Sequence, residues 1–349
     1  TYSDSAIDIV TGTSAGAINA AQLACSASGP RSHVANDLCA AWREIDGANV
    51  FESVSSGQLA RAMIGMTTGQ RWIGGKSMRA LVDTEPLRHY LSARLETDEH
   101  GVLVQAKRNV ENGHLRCFAL ATTDYGSGQN VTWYQSNVAV HPWERQNRIG
   151  RPATLTLDHI MASTALPLLF PAIKIGDDWH GDGGIRQAAP LSPAIHLGAT
   201  RVLAISTRYD RSSAEAEAQA VKGYPSAAQI LGVLFNAVFL DVLDQDIDRF
   251  GRLNKLLTDM PPASRRGMRP IRLLALRPSR DIGRMAAQFN VSLGGALGWI
   301  AGGLGGGAEE SPDWLSMILF DGAFAEQLMD LGYEDARTRR DQLDAFFAD

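Results

Sequence analysis

The sequence predicts an α/β protein: a mostly parallel central sheet flanked by helices, followed by a helical C-terminal extension. Three observations carry this. Short apolar, strand-like runs alternate with helix-like segments up to about residue 208, the pattern of strands joined through helices. An apolar run entering Thr11-Gly12 is followed at once by a stretch of small apolar residues, so one strand turns directly into a tightly packed helix. From Ala227 onward, apolar residues recur at helical spacing.

In chain order, residues 6–10 read as a buried strand and residues 15–27 as the small-residue helix behind it. A second helix is expected over 34–45. Thr84 is a plausible N-cap, with Pro86 in the first turn and Leu87, Tyr90, Leu91 and Leu95 on one face. Residues 115–122 and 130–135 read as two strands around a turn containing Gly126. A helix over 159–164 is followed by strands over 172–175 and 201–206, with a glycine-rich turn at 181–184 and a helix at 192–197 between them. Residues 212–220 are small and polar, a connector. Residues 227–257 form one long helix or two, 271–276 one more strand, and 314–347 a helical tail. No internal repeat is found. The division expected is an α/β core over 1–210 and a mainly helical extension over 211–349, packed on the core.

The 349 residues are 45% hydrophobic and 20% charged, as in a soluble globular protein. A net charge of −5 gives no reason to expect nucleic acid as a partner. Cys25, Cys39 and Cys117 form no CxxC pair and leave an odd count, against a disulfide framework. No HExxH or similar spacing points to zinc. Residues 291–308 carry no charge, but eight of the 18 are glycine, which suits a surface segment or interfacial lid better than a membrane span. The chain starts at Thr1 without a Met, so an export signal cannot be assessed; a cytoplasmic or peripheral-membrane location is expected.

Gly12-Thr13-Ser14-Ala15-Gly16 is a GxSxG. Its physics is a sharp strand-to-helix turn with a strained central Ser, and glycines at both ends are expected to prevent collisions. Ser14 would sit at a helix N-terminus, where orphan N–H groups favour negative charge. A bland reading is that Ser14 merely caps the helix. A serine hydroxyl needs an adjacent base. Asp182, followed by Gly183 and Gly184, lies in a turn after a strand, and the glycines would let it approach another loop; an exposed Asp-Gly turn would show the same residues. A triad competes, because GxSxG also occurs with Ser, Asp and His in that order. The one His after Asp182 is His196, which falls mid-helix and reads as structural. Gly75-Lys76-Ser77 resembles the end of a phosphate-binding loop, but Gly69 comes one residue too early. Gly303-Leu304-Gly305 lacks the strand a dinucleotide fingerprint requires. Arg265, Arg266, Arg269 and Arg272 read as a solvated loop, with anionic headgroups as the functional alternative.

At these residues the sequence resembles the patatin-like phospholipase family. Residues 8–20 resemble its nucleophile elbow, Ala162-Ser163-Thr164-Ala165-Leu166-Pro167 with Phe170-Pro171 the stretch before its second catalytic loop, and Asp182-Gly183-Gly184 its Asp-Gly-Gly/Ala motif. Residues 190–203 resemble the family's segment after that motif, and the tail, including Leu319-Phe320 and Leu331-Gly332-Tyr333, resembles bacterial members with a long helical extension. The resemblance implies a lipid acyl hydrolase working through a Ser14–Asp182 dyad and an acyl-enzyme, without histidine, metal or cofactor. It implies a lipid or acyl-ester substrate and peripheral membrane contact. The family's first motif, a Gly-Gly-Gly-x-Arg-Gly loop whose N–H groups form the oxyanion hole, is not in this chain. The sequence therefore reads as N-terminally incomplete, lacking a first strand and that loop, with the Ala15 N–H as the oxyanion donor candidate. The rivals are a Ser-His-Asp esterase through His196 and a non-catalytic lipid- or protein-binding relative.

Overall fold

The structure is a computed structural model and describes residues 7–53, 80, 82–209, 227–239, 241–289, 316 and 319–348. Its strands are β1 (Ile9–Gly12), β2 (Glu52–Ser53), β3 (Val82–Asp83), β4 (Cys117–Asp124), β5 (Asn130–Ser136), β6 (Glu144–Arg145), β7 (Arg148–Pro152), β8 (Ile173–Ile175), β9 (Asp178–Asp182), β10 (Arg201–Ile205) and β11 (Arg272–Leu276). Its helices are α1 (Ala15–Cys25), α2 (Arg31–Arg43), α3 (Gly47–Val50), α4 (Glu85–Arg94), α5 (Val104–Glu111), α6 (Leu157–Ser163), α7 (Ser192–His196), α8 (Ala227–Phe239), α9 (Asp241–Asp259), α10 (Ile282–Ala287), α11 (Gly322–Thr338) and α12 (Arg340–Phe347).

β4 is the spine of the sheet, and all eight of its residues are buried. Its side chains alternate between two faces. Phe118 and Leu120 enter the main core, while Cys117 and Ala119 pack with Tyr134, Trp143 and Leu197 in a second cluster. One edge of β4 pairs antiparallel with β5 along its length. The other edge is shared. β1 runs parallel to it from Cys117 to Leu120, and β9 runs antiparallel to it from Thr122 to Asp124. The remaining order is β6-β7-β5 on one side and β9-β8 on the other, seven strands in all. Separate two-stranded pairs join β10 to β11 in parallel and β2 to β3 antiparallel.

The α/β class is as expected, but the sheet is mixed rather than mostly parallel. Tight turns after β4 and β8 force their successors to run back, because parallel neighbours need a long crossover. Gly176, at φ 63°, makes the second of these turns. The short elements α3, β2, β3, α5, β6, β7, β9 and α10 lie outside the sequence expectation. β9 falls where a glycine-rich turn is expected, because Asp178, Gly181 and Asp182 are poor strand formers; only from Gly183 does the chain turn. β7 is masked by its two arginines, Gly150 and Pro152, and α5 by its shortness, with only Leu103, Ala106 and Val110 marking its inner face. The first strand lies over Ile9–Gly12 instead of 6–10, and residues 1–6 are outside the described part.

α1 packs closely because its inner face is made of Ala17, Ala20, Ala21 and Ala24, each at most 2% exposed. Its C-terminal carbonyls, Ala24 O and Cys25 O, both accept from the buried Asn109 Nδ2 of α5 at 2.8 Å. The helical pattern over 227–257 resolves into α8 and α9. Phe235 and Phe239 of α8 pack against the main core, and Leu243, Ile247 and Phe250 of α9 pack beneath β10 and β11. The expected surface segment at 291–308, the connector at 212–220 and both glycine-rich lookalikes fall outside the described residues. Among those described, no helix is long and apolar enough to cross a membrane.

Candidate active site

The sheet register brings the two chemistry-bearing turns together. Gly12, the end of β1, stands opposite Leu120, and Asp182, the end of β9, stands opposite Thr122 on the same edge of β4. The two strands approach head-on and leave the sheet two residues apart. Ser14 Oγ donates to Asp182 Oδ2 at 2.7 Å.

Ser14 is held at φ 55° and ψ −132°, a left-handed conformation that a residue with a side chain adopts only under constraint. It precedes α1 but makes no side-chain capping bond, so helix capping does not account for it. The Ala15 N–H opens α1 directly after Ser14, among the N–H groups that helix geometry leaves without an intrahelical acceptor.

The glycines of the motif differ from expectation. A Cβ on Gly12 would run into the Gly16 carbonyl and the Ala20 side chain, so this end of the turn has no room. A Cβ on Gly16 would meet nothing within 4 Å among the described residues. The difference follows from α1, which folds back over Gly12 but carries Gly16 on its open side. Gly183 has the same constraint as Gly12, lying against the Ala121 carbonyl of β4, and Gly184 lies under the ring of Phe239.

Asp182 is fully buried, which excludes an exposed Asp-Gly turn. Its Oδ1 accepts the Gly184 N–H at 2.8 Å and its own N–H donates to Ala165 O at 3.0 Å. Burial pushes its carboxyl up to about 7, against the opposing pull of the hydrogen bonds from Ser14 and Gly184. A carboxyl group so placed exchanges its proton near neutral pH.

His196 is not brought to Ser14 in this arrangement. Its ring stacks on Trp143 at 4.8 Å between centroids, within the cluster on the other face of β4 from Phe118 and Leu120. Burial holds its pKa below the usual histidine value, with Arg145 and Arg148 adding to the effect. Burial also pushes the Cys25 and Cys117 thiols up to about 11 and about 12, so neither competes as a nucleophile. No group of three or more His, Cys, Asp or Glu that could hold a metal occurs among the described residues. In the basic run, Arg265, Arg269 and Arg272 each donate to backbone carbonyls.

Ser14 opens onto a cavity of about 1030 Å³, with Leu23, Phe170, Gly184, Phe239 and Phe320 in its walls. β1 borders it, being paired along one edge only among the described residues, and so does β10. A largely apolar hollow with the Ser14 hydroxyl on its wall suits an acyl chain.

One contact has no counterpart in the motif reading. The Ser14 N–H donates to the hydroxyl of Ser163, at the end of α6, at 3.1 Å. In the sequence, Ser163 falls in the stretch 162–167 before the second catalytic loop, and nothing local marks it as a partner of Ser14.

The family model for patatin-like phospholipase matches residues 3–195, more than half of the chain, and both Ser14 and Asp182 lie inside the match. None of the curated proteins matches the chain. Fold, elbow and family match agree, and the chain belongs to the patatin-like phospholipase family.

Proposed function

We propose that this chain is a serine acyl hydrolase that cleaves lipid acyl esters through Ser14 and Asp182. The observation that carries the reading is the 2.7 Å hydrogen bond from the strained Ser14 to a fully buried carboxylate. Membership of a family of lipid acyl hydrolases supports the reaction class.

In the first half-reaction the Ser14 Oγ–H bond breaks and its proton passes to Asp182 as Oγ attacks the ester carbonyl carbon. Negative charge gathers on the carbonyl oxygen, near the start of α1, where the Ala15 N–H is the donor candidate. The tetrahedral intermediate collapses. The ester C–O bond breaks, and Asp182 returns the proton to the leaving alcohol. Water then adds to the acyl-Ser14 carbonyl, giving its proton to Asp182. The acyl–Oγ bond breaks, Oγ recovers that proton, and the fatty acid departs.

α8 adds the contact with a lipid surface. Ile230, Val233 and Leu234 are exposed on it, while its Phe239 covers Gly184 beside the dyad. Exchanging Val233 and Leu234 together for Asp is expected to lower cosedimentation with phosphatidylcholine vesicles; unchanged sedimentation rejects the contact.

The test of the chemistry is hydrolysis of p-nitrophenyl esters and phosphatidylcholine by the wild type, Ser14→Ala, Asp182→Asn and His196→Ala. Loss of general-base function should lower turnover by about 10²–10⁴-fold in Asp182→Asn, with His196→Ala close to wild type. An acyl adduct on Ser14 should appear in intact mass spectra. Loss of activity in a folded His196→Ala would favour the triad. A wild type without turnover, with all residues in place, would favour a non-catalytic relative.

A further inference from the structure

We propose that Ser163 is a positioning residue that holds the nucleophile in its reactive conformation, an inference that rests on the hydrolase reading. A serine at φ 55° and ψ −132° relaxes unless its surroundings over-determine it. Three bonds surround that residue. Its carbonyl accepts the Ala17 N–H at 2.7 Å, which only begins α1, and its hydroxyl donates to Asp182. Its own N–H is fixed by the Ser163 hydroxyl, 149 positions away in sequence.

α6 is a firm anchor for this. Every residue from His159 to Ser163 is buried. A capping box of Thr156 and His159 closes its start, and the Thr164 hydroxyl donates back to the Ile160 and Met161 carbonyls at its end. Two residues beyond Ser163, the Ala165 carbonyl accepts the Asp182 N–H at 3.0 Å. One helix terminus therefore ties down both partners of the dyad, Ser14 through a side chain and Asp182 through the backbone.

Packing does not explain the hydroxyl. Ser163 is completely buried beside Ala162, and an alanine would fill the site while favouring the helix. A buried hydroxyl is retained at such a place for the bond it makes. Without it the Ser14 amide loses its acceptor, the elbow can rotate, and Oγ leaves the line between Asp182 and the ester carbon.

The test is the rate at which an alkyl fluorophosphonate labels Ser14, together with kcat and KM on p-nitrophenyl butyrate. Ser163→Ala should label about ten- to a hundredfold more slowly and lose kcat to the same extent, with KM within twofold. Ser163→Thr keeps the hydroxyl and should recover most of the loss. Ile160→Ala cuts a cavity in the same helix without touching the bond. If it slows labelling as much as Ser163→Ala, the effect is packing and the proposal is overturned. Wild-type labelling by Ser163→Ala overturns it as well. Should Ser163→Ala not fold, the near-isosteric Ser163→Cys, a weak acceptor, takes its place with the same two outcomes. A wild type that neither labels nor turns over sinks the hydrolase reading and this inference with it; a reactive wild type with an equally reactive Ser163→Ala sinks the inference alone.

Discussion

Asp182 carries opposing demands at the scale of a single residue. Its proton is held more tightly in the folded protein, near pH 7, than at the ordinary carboxylate value of the unfolded chain. The stability this lends is complete below the unfolded value and is lost as pH rises through about 7. Activity runs the other way, because the base must be ionised. kcat/KM is therefore expected to rise with pH on a limb centred near 7, and a limb centred near 4 would place the base elsewhere. Asp182→Asn removes the buried charge while its amide can still meet Ser14 and Gly184. It should be nearly inactive yet melt higher than wild type at pH 8, with the gain shrinking toward pH 4. A lower melting point at pH 8 would contradict the burial argument. The elbow glycines give a second contrast. Gly12→Ala forces a Cβ into the Gly16 carbonyl and should destabilise by about 1–3 kcal/mol. Gly16→Ala has space and gains helix propensity, so its melting temperature should be at or above wild type.

At the scale of elements, α6 and β9 meet β5 through a buried aromatic sandwich. The Trp133 ring stands edge-on between His159 and His180, at 5.1 and 5.6 Å. Both histidines are nearly inaccessible, and the Nε2 of each has no hydrogen-bond partner among the described residues. Burial pulls His159 down to about 4, and it lowers His180 as well. Asp158 beside the first, and Asp124 and Asp178 beside the second, oppose that pull without overcoming it. A histidine that stays neutral when folded contributes stability fully present above its unfolded value of about 6.5, and lost as pH falls toward 4. The melting temperature should drop over that window. His159→Gln, which keeps an acceptor for the capping box, should flatten the drop; an unchanged slope would assign it to other groups. This layer also shows what the sequence could disclose. Ser14 and Asp182 are legible because glycines mark the turns around them, and the turns are local. That they meet depends on β1 and β9 sharing one edge of β4, a register no local pattern encodes. β9 itself is hidden by its Gly and Asp residues. α1, α4 and β4 are visible because each satisfies a full run of apolar positions at its own period. Ser163 acts across 149 residues, and only the fold reveals its partner.

At the scale of the whole molecule, the part of the chain after residue 210 is joined to the part before it by strand pairing, apolar packing and hydrogen bonds. β11 is the parallel partner of β10, and β10 has no other among the described residues. Val202 and Ala204 of β10 share a cluster with Ile271, Leu243, Ile247 and Phe250. The buried Asp246 of α9 accepts the Leu191 N–H at 3.0 Å, reaching the segment that follows the Asp182 turn. Arg277 joins β11's end to α9 through two bonds to Asp244, and Arg208 pairs with Asp241 and Asp244. Phe239 and Phe320 reach the main core itself. We propose that 1–210 and 211–349 form one folding unit, the second completing the first. Residues 1–210 expressed alone would expose an unpaired β10 and the apolar side of its cluster, an edge that invites association. That fragment is expected to give no cooperative melt and to sediment as aggregate. The full chain should lose far-ultraviolet helix signal and near-ultraviolet tryptophan signal at one shared midpoint, because α9 and the sheet around Trp133 would unfold together. A fragment that melts cooperatively at the full-length midpoint would show that the core stands by itself, and that β11 and α9 pack on it without supporting it.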